Sequence, residues 1–573
     1  MSAEDKPSPF TRRHPLTKRE LEDFAKIVSE TSEKIERDET QKIAMDPLVL
    51  RALRMVENHI SRRKLVVYGG TALNAVMPPR DRFYDPEHDL PDWDFFSDTP
   101  IEDAIKLADI VHEKTGMETF VTTAAHHGTY KVYADGNAIA DITEVPENVM
   151  EMLQKHALLR DDVLYSGPNY LRMAAYLELG RPRGQVERWT KVFRRLMLLN
   201  KNHPIQIRPH NPEEPGLPKA VRERIVDTLA DLQREMNANM ELGGVAGEFQ
   251  APAGGGGGSG GGGDGGSRKK EEYGSFAFFG PEAIQLIKRT LRRSQGEDAP
   301  DLGIPDEGLF PMILAANPTK VVEECSRALK KNLMTDDQSF SEITTVSHEG
   351  KGEFLPPYYE VRGYTEEGKK SSTLCLVIGT SNGCQSVYKL PTRDHGSLNI
   401  ASIESAIYIY LAIHFADILP VPASMILKTC DELIKIQYKI FRENTRPLLP
   451  VPSACIGRQE TIRDMRKEKS RMLKEIIENK GRRSAEYYEW NIRYNGGDDK
   501  ERKVILKMLE RGRTRGREQE EKEQKEADDM EKDRTIAIRS LSVKRPRAGA
   551  GGGSSRGEGG GPVRRTLKKK QVK

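Results

Sequence analysis

The stretch from Lys64 to Ser97, KLVVYGGTALNAVMPPRDRFYDPEHDLPDWDFFS, constrains this chain more than any other. It opens on the apolar run Leu65-Val66-Val67-Tyr68, whose β-branched and aromatic content suits a buried strand. Gly69-Gly70 ends the run, and Thr71 to Val76 reads as a short helix stopped by Pro78-Pro79. Two glycines at a strand-to-helix turn let the backbone approach a bulky anion. The helix N-terminus adds unpaired N–H groups and the positive end of a dipole. Downstream, Asp92 and Asp94 stand at i and i+2. On a strand, that spacing puts both carboxylates on one face and turns Trp93 and Phe95 to the other. Paired carboxylates beside a phosphate cradle suit nucleotidyl transfer with divalent metal ions, which prefer hard oxygen ligands.

A third carboxylate follows. Asp135-Gly136-Asn137 is a hairpin signal between strands predicted at 129–134 and 138–145. Asp141 lies in the second arm among Ile139, Ala140 and Ile142. A carboxylate inside an apolar strand is costly unless it is paired or ligates a metal, so Asp141 is the natural third ligand. His126-His127 lacks a further histidine or cysteine at ligand spacing and reads as a strand entry. Neither a P-loop nor a nucleophile elbow occurs.

The glycine pair and threonine followed by D-x-D resemble the nucleotidyltransferase superfamily typified by DNA polymerase β. The fuller string YGGTALN…FYDP…LPDWDFFS is similar to the poly(A) polymerase catalytic subunit of nucleocytoplasmic large DNA viruses, the giant-virus relatives of the poxvirus enzyme. The resemblance covers roughly residues 60–200 and 275–475. It implies an α+β chain: a polymerase-β-like mixed sheet with flanking helices, a second degenerate nucleotidyltransferase-like domain, and a disordered basic tail. The implied activity is a polynucleotide adenylyltransferase that adds AMP from ATP to RNA 3′ ends without a template and releases pyrophosphate. Asp92 and Asp94 would bridge two Mg²⁺ (or Mn²⁺) ions, and Asp141 would hold the one that activates the 3′-OH. Gly69, Gly70 and Thr71 would grip the β- and γ-phosphates. Arg172, Arg188 and Lys191 are the expected cations for the triphosphate, and Tyr165 or Tyr170 the aromatic for the base. Adenine choice depends on base contacts that no motif reveals, so a U- or CCA-adding enzyme stays open. So does a non-catalytic RNA-binding scaffold of the same fold.

The sequence divides into an N-terminal helical segment (1–45), a catalytic domain with trailing helices (46–242), a glycine-rich linker (243–274), a second domain (275–475) and a charged helix or coil with a basic tail (476–573). The linker, APAGGGGGSGGGGDGGS at its centre, has no side chains that could form a core. GTSNG at 379–383 reads as a turn between strands. A net charge of +3 does not announce a nucleic-acid binder. The tail clusters Lys544-Arg545, Arg564-Arg565 and Lys568-Lys569-Lys570 suit an RNA-binding arm, a nuclear address or mere solubility equally. Apolar runs stay well short of the roughly 20 residues of a membrane span. The five cysteines are odd in number, lack C-x-x-C spacing and read as reduced thiols of an intracellular protein. The expected partners are an RNA 3′ end, ATP, and a homodimer mate or processivity subunit. The expected setting is the virion or the viral factory of the host cytoplasm, or the nucleus if the tail is an address.

Overall fold

The computed structural model describes residues 17–84, 89–207, 217–243, 276–295, 310–335, 339–350, 355–365, 371–380, 383–392, 394–416, 423–442 and 452–542. The centre of the glycine-rich linker and the basic tail from 543 lie outside the described residues. The chain separates into two compact units, Met1–Lys507 and Met508–Lys573. The described part of the second is a run of helix that ends at Ser542.

The larger unit begins with α1 (Lys18–Ala44) and α2 (Pro47–Arg63). The apolar stripe of α1 is left in solvent: Leu21, Phe24, Ile27 and Val28 are 52–61% exposed. Asp46 caps α2 by accepting from the Leu48 amide, with Pro47 at the first helical position. Then follow β1 (Val66–Val67), α3 (Gly69–Val76), β2 (Asp94–Ser97), α4 (Pro100–Thr115), β3 (Thr119–Thr123), β4 (Thr129–Ala134) and β5 (Asn137–Glu144). The expected hairpin turn is present, with Asp135 and Gly136 at φ +46° and +80°. Next come α5 (Glu147–His156), β6 (Leu158–Arg160), β7 (Val163–Tyr165), α6 (Pro168–Leu179) and α7 (Trp189–Asn202).

One face of this sheet is sealed by α2 and α4. Asp103 of α4 accepts from Ser97 (2.6 Å) and Arg63 (3.1 Å) and pairs with His59 (2.9 Å). Burial alone would raise its carboxyl, but these partners hold it below its ordinary value. The other face carries Asp94 and Asp141, which are direct partners in the parallel β2–β5 register.

The chain continues with α8 (Lys219–Gly243), β8 (Phe276–Phe278), α9 (Pro281–Gln295), β9 (Met312–Ala315), α10 (Pro318–Lys330), β10 (Glu342–His348), β11 (Tyr358–Tyr364) and β12 (Ser371–Gly379). After these come β13 (Gln385–Pro391), β14 (Ser397–Ala401), α11 (Ile403–Ala416) and α12 (Ala423–Arg442). The last elements are β15 (Cys455–Ile456), α13 (Ile462–Asn479), α14 (Ala485–Asn491), β16 (Arg493–Asn495) and α15 (Asp499–Ser542).

Among the described residues the strands form two sheets, ordered β16-β3-β4-β5-β2-β1-β7-β6 and β10-β11-β12-β9-β8-β14-β13-β15. With β16 and β15 set aside, the two orders and strand directions coincide. The hydrogen bonds coincide too. Tyr68 N donates to Asp94 O as Phe279 N does to Met312 O, both at 2.9 Å. Asp141 N donates to Trp93 O as Leu376 N does to Pro311 O, both at 3.0 Å. Gly69 therefore matches Gly280, Asp94 matches Met312, and Asp141 matches Leu376. The second sheet repeats the first without its carboxylates.

Two features depart from the sequence reading. Within the segment expected to be charged helix or coil, β16 returns to pair antiparallel with β3 at the edge of the first sheet. Its middle residue Tyr494 is buried and donates to Asp109 of α4 at 2.6 Å. The cysteines are not all free thiols. Cys384 and Cys455 form a disulfide, brought together with Cα atoms 5.5 Å apart by the pairing of β13 with β15. A separation of 71 residues hid that contact from any spacing rule. Cys325, Cys375 and Cys430 are free and buried.

Candidate active site

The turn from β1 into α3 is built for close approach. Gly69 sits at φ +71°, a left-handed conformation that a side chain disfavours. A Cβ there would stand 2.5 Å from Asp94 Oδ2, and one on Gly70 would stand 2.4 Å from the Tyr84 hydroxyl. Gly69 thus brings backbone directly against the Asp94 carboxylate, and Gly70 brings it against the Tyr84 hydroxyl and the Arg195 guanidinium. The hydroxyl of Thr71 is engaged elsewhere. It donates to the Asp92 carbonyl (2.7 Å) and lies 3.1 Å from the Asp92 amide, clamping the approach to β2.

The two aspartates do not share a regular strand as the spacing predicts. β2 starts at Asp94, and Asp92 precedes it in a tight turn in which Asp94 N donates to Asp92 O at 3.0 Å. Trp93 and Phe95 are buried, 5% and 0% exposed, on the side turned away. Burial, Asp92 and Asp141 together push the Asp94 carboxyl up to about 8. Asp92 is raised as well, by partial desolvation and then by Asp141. Lys131 of β4 is the direct register partner of Asp141 and donates to its Oδ2.

Among the described residues, no three His, Cys, Asp or Glu side chains stand close enough to hold one ion as they are placed. The donor set nevertheless fits a divalent cation. Asp92, Asp94 and Asp141 are hard oxygen donors whose mutual repulsion a cation would relieve, and Lys131 is the group that Asp141 would have to release. This coupling has a sign. A carboxyl raised to about 8 must lose its proton to bind a metal, so apparent Mn²⁺ affinity should climb steeply from pH 6 to 8, approaching tenfold per unit, and level off above that. Calorimetric titration across that range, with the released protons counted, checks it. A flat profile would show that the Asp94 carboxyl is already ionised at pH 6 and overturn its raised value.

Cations gather on α7 and the turn before it. Lys191 feels the charges of Arg195 and Arg188, and also those of Asp92 and Asp89. Burial first, then the two arginines, lowers the Lys191 ammonium from its ordinary value. Arg195 was not among the expected residues. Its guanidinium lies over Phe83 (4.2 Å) and donates to the Tyr84 hydroxyl (3.2 Å), and its Nη1 would stand 3.2 Å from a Cβ on Gly70. The i, i+3, i+7 spacing of 188, 191 and 195 could have signalled it.

Arg172 is not brought to this site. It is 1% exposed on α6 and donates to Asn200, Asn169 and the His203 carbonyl, tying α6 to α7. The family resemblance had suggested a triphosphate cation here, but the helix turns it inward. Arg172→Met should therefore cost about 3 kcal/mol of stability by leaving those acceptors unmatched, while the KM for ATP at a permissive temperature stays put. Melting curves and steady-state kinetics read the two effects separately, and a raised KM in a fully stable variant would reverse the assignment. Tyr165 and Tyr170 are also buried, and Tyr170 packs edge-on against Phe96 and Phe415.

Residues 54–185, which contain Gly69, Gly70, Asp92, Asp94 and Asp141, match the family model of the poly(A) polymerase catalytic subunit. An African swine fever virus protein (isolate Tick/Malawi/Lil 20-1/1983), provisionally named poly(A) polymerase catalytic subunit, is 30% identical over 164 residues, 28% of this chain and 34% of the relative. A protein of the same provisional name from Acanthamoeba polyphaga mimivirus is 28% identical over 158 residues, 27% of this chain and 26% of the relative. The chain thus spans about a third or less of the length of the curated relatives it matches. The crystal structure of the Megavirus polyadenylate synthase superposes with a TM-score of 0.61 at 17% identity, covering 86% of this chain and 88% of that one. That likeness establishes the fold, a mixed α+β architecture, across most of the molecule. Among the described residues, no helix is long and apolar enough to cross a membrane.

Proposed function

We propose that the chain is a template-independent poly(A) polymerase, transferring AMP from ATP to the 3′-OH of RNA and releasing pyrophosphate. One observation carries the reading: Asp92, Asp94 and Asp141 converge beside the Gly69-Gly70 turn, within the segment that matches the family model.

Asp92, Asp94 and Asp141 would hold the Mg²⁺ or Mn²⁺ ions. The ions, when bound, supply charge neutralisation of the triphosphate and a lowered pKa for the attacking hydroxyl. The chain's own groups do the positioning. The left-handed Gly69 opens the N-terminus of α3 toward the β- and γ-phosphates. Lys191, with Arg188 and Arg195, would balance the triphosphate charge and then the departing pyrophosphate. Thr71 acts through the backbone of Asp92, fixing where that carboxylate begins. A partner subunit or second copy would suit the name that the relatives carry, and mRNA 3′ ends are the expected substrate.

A 5′-labelled RNA primer incubated with each nucleoside triphosphate in turn, with Mg²⁺ or Mn²⁺, tests this. The expected result is a ladder with ATP alone. Extension with UTP or CTP would make it another terminal nucleotidyltransferase. No extension with any nucleotide, with RNA binding intact, would leave an RNA-binding scaffold.

A further inference from the structure

The carboxylate face of the first sheet does not stop at Asp141. Register partners share a face, and one row of them crosses five strands. Asp94 pairs with Asp141, Asp141 with Lys131, Lys131 with Thr122, and Thr122 with Arg493. At about 4.8 Å per strand, the row carries the site roughly 14 Å from Asp141 to the sheet edge. Beside it, on the same face, Phe120 of β3 and Tyr133 of β4 are register partners whose rings stack flat, 4.6 Å apart and 8° from parallel. Along β3 and β4 the alternation is clear: Val121, Tyr130 and Val132 are buried, whereas Phe120, Thr122, Lys131 and Tyr133 remain partly open. Arg493 and Asn495 of β16 are exposed at the rim.

We infer that this open face, with Phe120 and Tyr133 as its aromatic centre and Lys131 and Arg493 as its cations, binds the last few nucleotides of a single-stranded RNA primer. The inference deepens the function proposed above and rests on it for the direction of the strand. Each ring turns one face to the other, and the outer face of the pair suits an unstacked base, which duplex RNA does not offer. Cations along the row match a phosphate backbone that leaves the carboxylates toward the edge. Acidic side chains would repel a strand laid there, and the row is acidic only at the reacting end. The platform also explains β16: by returning from the far end of the unit to pair with β3, it adds Arg493 to the track.

The test separates binding from chemistry by measuring anisotropy of a labelled oligoadenylate without ATP or divalent ions, on the full chain. Phe120→Leu and Tyr133→Leu keep apolar bulk on the face but remove the stacking surface. Each should raise the Kd about tenfold or more, while loss of the cross-strand ring pair lowers the melting temperature by only about a degree or two. Arg493→Gln should reduce the slope of log K against log salt by about 0.7, the share of one phosphate contact on a single strand. A blunt RNA duplex should bind all variants as it binds the parent. Unchanged oligoadenylate affinity in Phe120→Leu and Tyr133→Leu, with an unchanged salt slope in Arg493→Gln, overturns the inference. If the parent adds no AMP yet the variants lose RNA affinity, the platform stands and the polymerase reading falls.

Discussion

Asp94→Asn is expected to reduce AMP incorporation by at least about 10³-fold while leaving a protein that is no less stable. The loss follows from charge: the amide keeps the shape but cannot hold a divalent ion against the triphosphate. A factor of 10³ corresponds to about 4 kcal/mol of transition-state stabilisation. Stability runs the other way. The folded carboxyl is raised to about 8 from an ordinary 3.8, so the fold is least burdened below the unfolded value and loses stability as pH rises between the two. At neutral pH without metal, removing that carboxyl relieves the cluster, and the variant should melt at or above the parent temperature. Asp92→Asn and Asp141→Asn should share the kinetic loss. Asp98→Asn, on an exposed carboxylate beside Arg63, should not. A folded Asp94→Asn enzyme working near the parental rate would remove the metal-site assignment and most of the function built on it.

Gly69→Ala is expected to be almost as damaging, although it changes no charged group. Holding alanine at φ +71° costs about 1–2 kcal/mol, and the added methyl would lie 2.5 Å from Asp94 Oδ2. Either α3 shifts or the carboxylate rotates away, and both outcomes spoil the site. The prediction is a drop of a few degrees in melting temperature and a loss of about 10²-fold in AMP incorporation. Because the methyl acts through Asp94, combining it with Asp94→Asn should add little to the kinetic loss. Full additivity, or an active Gly69→Ala protein, would show that the turn does not position the carboxylate.

The parts legible in the sequence were those whose chemistry is local. Gly69-Gly70, the Asp92–Asp94 spacing, the Asp135-Gly136-Asn137 turn and the out-of-place charge of Asp141 each announce themselves within a few residues. Arg172 misled because an arginine on an amphipathic helix looks alike whether it faces solvent or three buried acceptors. Arg195 was missed because its helical spacing from Arg188 and Lys191 says only that the three share a face; that this face meets Phe83, Tyr84 and Gly70, more than a hundred positions earlier, is not local. The Cys384–Cys455 bond and the return of β16 are contacts across distance, set by strand pairing. The internal repeat was expected only through the family resemblance, which implies a second, degenerate nucleotidyltransferase-like domain, and not from the residues of that segment themselves. Apart from an apolar run ending in glycine, its equivalence lies in hydrogen-bond positions rather than in shared side chains.

That repeat makes the larger unit a covalent counterpart of a two-fold dimer. α6 follows β7 as α11 follows β14, and these corresponding helices pack against each other. The Tyr176 hydroxyl of α6 donates to Gln437 of α12 at 2.8 Å, across the same seam. Like faces meeting like faces is the habit of isologous protomers. Within such a pair, labour can be divided. One member keeps three repelling carboxylates and a left-handed glycine, while its twin, with Met312 and Leu376 at the matching places and Glu360 where Lys131 stands, is relieved of that electrostatic burden. Mutational tolerance should divide along the same seam: charge-preserving at Asp94 and Asp141, volume-preserving at Met312 and Leu376.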